Sequence, residues 1–506
     1  MRRTTNHTGP ARSTELEDTM TQPTLQDFRT ATAAGRRPPL RLRIPADLET
    51  PVSAYLKLAD HGACFLLESV EQGVQRGRYS FIGLGPCREI RLRDGLTTIT
   101  SPDGATATAP VSDDLFAPIR EALAATAAGM PRDVPGPFGG AVGFIGYDIV
   151  RHFEPVPLPD GEADDDYRFL VPVTMAVFDH VKSEIELLVL PDDGGDDAYA
   201  AADARLQELL AALDAPLPHV ERRTSGTAVT PARGDLTSED YQAMVRRAQE
   251  HIAAGDAFQI VLSQRLTGET SVSPFQIYRS LRILNPSPYL YFLDFGDSQI
   301  IGSSPELLVS KEGDTVAVNP IAGTRPRGED AARDQALVEE LLADEKERSE
   351  HVMLVDLGRN DLGRVCETGS VATSTFMVVE KYSHVMHIVS RVEGRLRDGL
   401  DAYDLLRATF PAGTVSGAPK IRAMQLITEI EGRRRGAYAG AVGYFGAHGD
   451  MDLCIGIRTL FMQDGRYRLQ AGAGIVADSD PASEYQETLN KIRALAGAVA
   501  IAEEGF

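Results

Sequence analysis

The sequence predicts an α+β protein built on a large, mostly antiparallel sheet structure flanked by helices. Three observations carry that expectation. The 506-residue chain is 43% hydrophobic and 25% charged, an ordinary globular balance with ample length for a core. Short β-rich runs recur along it, several joined by tight polar turns that suit antiparallel neighbours. In the second half, helical stretches alternate with those runs.

Residues 1–25 are polar and aperiodic and are expected to form a disordered tail, with Met1 or Met20 as the start. Met1-Arg2-Arg3 leads into no apolar signal region. Pro51 to Asp60 reads as a short helix, Cys64 to Val70 and Arg78 to Leu84 as strands. Alternation in Glu89–Arg93 and Thr97–Thr100 predicts a hairpin, and Leu115–Ala127 a helix. Pro137–Asp148 is a glycine-laced run expected as a buried strand where backbones approach closely. Thr174–Asp179 and Glu184–Leu190 read as paired strands, and Ala198–Leu213 as a helix. Pro216 to Asp235 is Pro-, Thr-, Ser- and Gly-bearing without periodicity, a linker signature. Thr237-Ser-Glu-Asp240 then matches a helix capping box. The chain therefore divides into a first half at 26–215, a linker at 216–236 and a second half at 237–506. Strands are expected there at Phe258–Leu266, Tyr289–Phe295, Glu306–Ser310, Thr315–Val318, Ala439–Phe445, Met451–Phe461 and Tyr467–Ala473. No short internal repeat emerges, although both halves look like similar strand-rich layers.

The net charge of −22 argues against nucleic acid or an anionic membrane as a main partner. No apolar run approaches the ~20 residues of a membrane span. Cys64, Cys87, Cys366 and Cys454 are scattered without a Cys-x-x-Cys, so reduced thiols in a cytoplasmic protein are expected.

Phe410 to Met424 is the stretch around which the chain is organised. Gly413, Thr414, Ser416 and Gly417 form a small hydroxyl-bearing loop, and Pro419 is expected to open a helix. Free N–H groups and two hydroxyls there suit an anion seat; an ordinary strand–turn–helix corner is the alternative. It is not a nucleotide P-loop, because Ala418 and Pro419 separate Gly417 from Lys420 and Ile421 follows it. Glu347 and Glu350 lie three apart, as do Glu484 and Glu487, each pair on one helix face. Four carboxylates from two helices suit a hard cation such as Mg²⁺, while a lone Glu-x-x-Glu is more often a solvated face. Ala471-Gly-Ala-Gly-Ile-Val-Ala477 matches a dinucleotide fingerprint loosely, but Asp478–Pro481 intervenes before the helix and no acid follows ~20 residues on. A backbone cradle for a carboxylate fits better. Arg458 offers a bidentate fork for a carboxylate. A lone His such as His387 is more often structural than catalytic, and His351 is either a ligand or a spacer beside the acids.

Taken together, these motifs resemble the chorismate-utilising enzymes, and among them the anthranilate synthase component I branch. The matching stretches are Gly302-Ser-Ser-Pro-Glu306, Pro320-Ile-Ala-Gly-Thr-Arg-Pro-Arg-Gly328, Glu350 through Asp361, Gly413-Thr-Val-Ser-Gly-Ala-Pro-Lys420, and Ala471-Gly-Ala-Gly474 through Lys491. The resemblance runs from about residue 40 to near the end. It implies a β-sandwich with flanking helices in α/β/β/α layers, a regulatory first half and a chorismate-binding catalytic second half. It implies Mg²⁺ held by Glu347, Glu350, Glu484 and Glu487, some through water, against the ring carboxylate of chorismate. Thr414, Gly474 and Lys491 would hold that end, with Thr324 and Ala473 completing the substrate-binding set. Tyr438 and Arg458 would hold the enolpyruvyl carboxylate. Glu306 would be the general acid for the departing C4 hydroxyl, and His387 would move a proton in pyruvate elimination.

Two positions discriminate within the family. Relatives that add water at C2 carry a Lys where this chain has Gln259, which cannot take a proton. Relatives that make 4-amino-4-deoxychorismate carry a nucleophilic Lys where this chain has Ala322. With neither, the expected reaction is attack of ammonia at C2 and aromatisation to anthranilate, the first committed step of tryptophan biosynthesis. No Gly-x-Cys-x-Gly elbow surrounds any cysteine, so the ammonia is expected from a separate glutamine amidotransferase subunit in a heterotetramer. Leu67, Glu68 and Ser69 with Asn285, Pro288, Tyr289 and Leu290 resemble the family's tryptophan inhibitor site. Rival readings are an enzyme stopping at 2-amino-4-deoxyisochorismate, a 4-amino-4-deoxychorismate synthase, and a catalytically silent partner-binding subunit.

Overall fold

A computed structural model of the chain describes residues 20–70, 77–161, 164–219, 232–381 and 385–505. Most of the expected tail, the centre of the expected linker, and Ser383 and His384 of the His387 motif lie outside the described residues.

Two twelve-stranded sheets form the body, antiparallel at every pairing among the described residues. The first runs in the order Leu40–Pro45, Glu184–Val189, Thr174–Asp179, Tyr79–Leu84, Ala63–Glu68, Tyr289–Asp294, Ser298–Ser304, Thr459–Gln463, Arg466–Ile475, Gln259–Glu269 and Arg233–Gly234. Gly417–Ala418 adds to it beside Gln259. The second runs Ile321–Pro326, Val385–Arg395, Thr315–Val318, Leu307–Glu312, Met451–Ile455, Ala441–Phe445, Ala141–Ile145, Tyr167–Val171, Arg88–Arg93, Leu96–Thr100 and Thr106–Pro110, with Ala372–Lys381 also on Val385–Arg395. Between the sheets lie Phe65, Phe144, Tyr291, Val442 and Cys454. Helices Pro51–Leu58, Asp196–Asp214, Pro274–Leu284 and Pro481–Glu504 cover the outer face of the first sheet. Ala117–Ala127 and Ala402–Thr409 cover the second. The order helix, sheet, sheet, helix matches the expected layers, because each sheet is apolar on both faces and needs cover on both.

The halves repeat one plan. In each, a strand of the first sheet continues directly into the second sheet, and a neighbouring strand returns. In the first half these are Tyr79–Leu84 into Arg88–Arg93 and Tyr167–Val171 into Thr174–Asp179. In the second they are Ser298–Ser304 into Leu307–Glu312 and Met451–Ile455 into Thr459–Gln463. Both sheets are continuous across the division: Ala63–Glu68 pairs with Tyr289–Asp294, and Ala141–Ile145 with Ala441–Phe445.

Three local expectations need correction. Met451–Phe461 is two strands, broken where Arg458 takes a left-handed φ of 51° so that the chain can change sheets. In the run Pro137–Asp148 only Ala141–Ile145 is strand, and a short 3-10 helix, Tyr147–His152, comes after it. At Gly143 a Cβ would fall 2.0 Å from the Arg168 carbonyl oxygen, which is the close approach the glycines allow. Pro419 stands just ahead of the helix Lys420–Glu431, because its extended backbone (ψ 138°) offers its carbonyl to the Ala423 N–H. The capping box at Thr237 forms as expected, with Asp240 closing it.

Candidate active site

Glu306 sits where the chain leaves the first sheet, and Arg458 where the neighbouring strand returns to it. The two crossings are bonded side by side: Ser303 N–H donates to the Arg458 carbonyl at 3.0 Å, and Ile455 N–H to that of Glu306 at 3.0 Å. Burial pushes the Glu306 carboxyl up to about 8, against the opposing pull of the Thr414 hydroxyl and the Lys491 charge. Thr414 Oγ1 donates to Glu306 Oε1 at 2.9 Å. Near neutral pH this carboxyl holds a proton that it can give away. The hydroxyls of the expected anion seat are thereby committed: Thr414 to Glu306, and Ser416 Oγ to the Ala412 carbonyl at 2.8 Å. Lys420 is likewise committed, donating to Asp361 Oδ2 at 2.6 Å and to the Thr409 carbonyl at 2.9 Å.

His387 lies on Val385–Arg395 with Nδ1 2.9 Å from the Gly323 carbonyl oxygen and 3.1 Å from Thr324 Oγ1. A carbonyl can only accept, so Nδ1 carries the proton and the ring's lone pair is on Nε2. Burial, with the Arg458 charge, holds His387 below the ordinary imidazole value. The carbonyl is aimed by a bulge between Ala322 and Thr324, where Gly323 has φ +70°. A Cβ on Gly323 would lie 3.1 Å from Leu341 Cδ1 and 3.2 Å from Glu347 Oε2. Gly323→Ala is expected to cost about 1–2 kcal/mol in thermal unfolding and to lower turnover as the carbonyl swings off His387.

Burial lowers the Arg458 pKa, and no carboxylate pairs with its guanidinium among the described residues. A desolvated cation without an acid is a seat for an incoming anion. Tyr438 is buried nearby, in the turn that leads into Ala441–Phe445: a Cβ on Gly472 would lie 2.7 Å from its hydroxyl oxygen. Lys491 Nζ donates to the Gly472 carbonyl at 2.9 Å and pairs with Glu487 Oε1 at 2.7 Å. Ala473 and Gly474 come next on the same strand.

The acidic helices Glu345–Gly363 and Pro481–Glu504 face one another. Lys346 Nζ on the first is 3.9 Å from Asp478 beside the second, and the charges of Lys346 and Lys491 act on both Glu350 and Glu484. Burial raises both carboxyls, and the second acid of each pair adds to the shift. Gln259 Nε2 donates to Glu350 Oε1 at 3.1 Å, and a Cβ on Gly474 would fall 2.6 Å from that nitrogen. Glu347 accepts from Arg325 Nη1 at 3.2 Å, a partner that the sequence reading missed. Among the described residues no three acid, His or Cys side chains close on one point. The donor set still fits Mg²⁺, which takes one or two carboxylates and keeps waters and substrate oxygens for the rest. His351 is fully buried, with Nε2 2.6 Å from Ser390 Oγ, while its buried Nδ1 has no hydrogen-bond partner among the described residues.

A profile of the chorismate binding enzymes matches residues 62–497. The chain belongs to that family. It is 47% identical over 488 residues to anthranilate synthase component 1 of Pseudomonas putida, covering 94% of this chain and 98% of the relative. It is 47% identical over 474 residues to the component 1 of Thermus thermophilus, covering 92% and 99%. The crystal structure of anthranilate synthase component I from Streptococcus pneumoniae superimposes with a TM-score of 0.74 at 40% identity, covering 90% of this chain and 99% of that one.

In this chorismate-binding enzyme the expected inhibitor residues gather on the seam between the halves. Leu67, Glu68 and Ser69 end one seam strand, Pro288, Tyr289 and Leu290 begin the other, and Leu290 stands opposite Glu68. Glu68 is buried and already held: Arg282 donates to it at 2.9 and 3.1 Å, and the Tyr278 hydroxyl also donates. Neither partner was read from the sequence; their one-turn spacing on Pro274–Leu284 is the signal that was there. Ser69 Oγ is buried and finds no hydrogen-bond partner among the described residues. Asn285 Nδ2 donates to Ser303 Oγ at 3.2 Å, and Tyr289 Oη to Asp452 Oδ1 at 3.1 Å.

Proposed function

We propose that this chorismate-binding enzyme is the large subunit of an anthranilate synthase, converting chorismate and ammonia to anthranilate and pyruvate in tryptophan biosynthesis. The observation that carries the reading is Gln259. Its Nε2 is spent on Glu350, while its buried Oε1 has no hydrogen-bond partner among the described residues. An amide oxygen cannot deprotonate water, but it can accept an N–H from ammonia. Ala322 leaves no lysine nucleophile at its position, which supports direct attack at C2.

In this reading Arg458 and Tyr438 bind the enolpyruvyl carboxylate, and Thr324, Thr414, Ala473, Gly474 and Lys491 bind the ring end. When bound, Mg²⁺ on Glu347, Glu350, Glu484 and Glu487 supplies charge neutralisation for the ring carboxylate. Glu306 gives its proton to the C4 oxygen, which departs as water while ammonia bonds to C2, and a proton lost by the new ammonium restores Glu306. His387, its Nδ1–H fixed on Gly323, offers Nε2 to take the C2 proton as the ring aromatises. The electrons of the C2–H bond complete the ring as the C3–O bond breaks, and the proton ends on the methylene carbon of the departing enolpyruvate, giving pyruvate.

The ammonia comes from glutamine on a partner amidotransferase subunit in a cytoplasmic heterotetramer, in keeping with relatives called component 1. No helix among the described residues is long and apolar enough to cross a membrane. Residues 26–215 act as the regulatory half and 237–506 as the catalytic half. Tryptophan binds at the seam and inhibits; the unpartnered Ser69 hydroxyl beside Glu68 supports a ligand there. Coupling would be short, because Asn285 bonds Ser303, three residues before Glu306.

The test is incubation of the purified chain with chorismate, Mg²⁺ and an ammonium salt at alkaline pH, with product identification. Anthranilate and pyruvate together are expected, suppressed when tryptophan is added. Accumulation of 2-amino-4-deoxyisochorismate without pyruvate would instead identify an enzyme that stops before elimination. A para-amino product would overturn the argument from Ala322.

A further inference from the structure

We propose that Arg435, held by Glu431, is a positioning residue for the acid step, fixing the loop that presents Thr414 to Glu306. The inference rests on the chorismate reading above.

Arg435 and Glu431 are 2% and 7% exposed. Arg435 Nε and Nη2 grip the two Glu431 oxygens at 3.0 and 2.5 Å. Nη1 donates to the Val415 carbonyl at 2.8 Å, and Nη2 to the Val261 carbonyl at 2.7 Å. Val415 directly follows Thr414. Val261 lies on the strand that carries Gln259 and stands opposite Gly474. One guanidinium thus ties the Thr414 loop to the strand whose Gln259 donates to Glu350 of the acidic helix Glu345–Gly363.

Glu431 is anchored in turn. Its Oε1 accepts the Ser263 N–H at 2.8 Å and the Ser263 hydroxyl at 2.9 Å. Asp148, from the first half, accepts the N–H groups of Arg435 at 3.2 Å and Gly436 at 2.9 Å. The guanidinium carbon stands 4.8 Å from the centre of the Tyr147 ring and 5.6 Å from that of Tyr438.

A buried ion pair is a weak stability device against an apolar replacement. It is a strong geometric one when a single planar fork grips both oxygens of a carboxylate and also reaches two carbonyls on separate elements, a bidentate geometry that the point charge of a lysine lacks. Arg435 is bonded to protein groups, not to the reacting atoms, so its effect runs through Thr414.

The experiment compares Arg435→Lys, Glu431→Gln and Thr414→Val, singly and with each of the first two combined with Thr414→Val, under saturating ammonium. Thermal melts establish which variants fold, and Glu431→Gln stands in if Arg435→Lys does not. Each single change is expected to lower kcat by up to about 10²-fold, the cost of an ångström-scale misplacement. For Arg435→Lys and Glu431→Gln the chorismate KM is expected within ~3-fold because Arg458 and Lys491 are untouched, whereas Thr414→Val also removes a ring-end contact and is expected to raise it. The double variants are expected to be no slower than the slower single variant, because the same contact is lost once. Losses that multiply, or a loss confined to melting temperature, would overturn the inference. Wild-type protein that yields no anthranilate would instead overturn the reading beneath it.

Discussion

Glu306→Gln is expected to lower kcat by ~10²–10⁴-fold, the usual contribution of a positioned general acid, while stabilising the fold above mildly acidic pH. The second effect comes from linkage. Burial raises the folded-state value from 4.5 to about 8. The folded protein therefore holds a proton that the unfolded chain has already lost between those pH values. Below about pH 4 the group costs no stability; from there to about pH 8 the cost grows, and above that it is constant. Glutamine removes the cost. Melting temperatures of wild type and variant should coincide near pH 4 and diverge up to pH 8. Wild-type kcat corrected for the concentration of free ammonia should fall above about pH 8, as the acid form is lost. A variant that keeps wild-type kcat would remove Glu306 from the chemistry.

Arg458→Lys is the second large effect. Truncating one partner of a desolvated, hydrogen-bonded charge pair costs about 2–5 kcal/mol, or ~30-fold and upward in kcat/KM. Lysine keeps the charge but loses the fork, so the loss should appear mainly in the chorismate KM. Arg458→Gly is the matching control, since glycine takes the φ of 51° without strain and isolates loss of the side chain from backbone effects. Steady-state kinetics alongside thermal melts decide it: an unchanged KM in folded Arg458→Lys would rule out a carboxylate at this guanidinium.

Much of the fold was legible because the signals were local. The Glu89–Arg93 and Thr97–Thr100 hairpin and the Thr237 capping box are each set by a few adjacent residues. Met451–Phe461 misled because its composition is uniformly strand-like; the break is imposed by the second sheet, which claims Met451–Ile455 and releases the chain at Gly456. The shared plan of the halves left no period, since Ile321–Arg395 adds strands and the two helices Ala331–Ala343 and Glu345–Gly363 to the second half alone. Strands such as Leu40–Pro45 and Tyr167–Val171 went unread because their neighbours lie far away in sequence. At the site, acids spaced three apart on helices were visible as a pattern. The Gly323 bulge and the Arg282 grip on Glu68 were not, because each is fixed by a distant element.

The continuity of both sheets across the halves bears on how the protein comes into being. Ala63–Glu68 and Ala141–Ile145 each have one partner in the first half and one edge left open as the chain emerges from the ribosome, and the strand that covers the second begins 300 residues after it begins (141 to 441). An apolar edge left open is a template for pairing with any other chain. The nascent first half therefore depends on shielding until its counterpart is synthesised, and pairing of such long range closes slowly. The same edges make the protein separable by design: a chain cut between 219 and 232 should reassemble when both pieces are produced together, and each piece alone should aggregate.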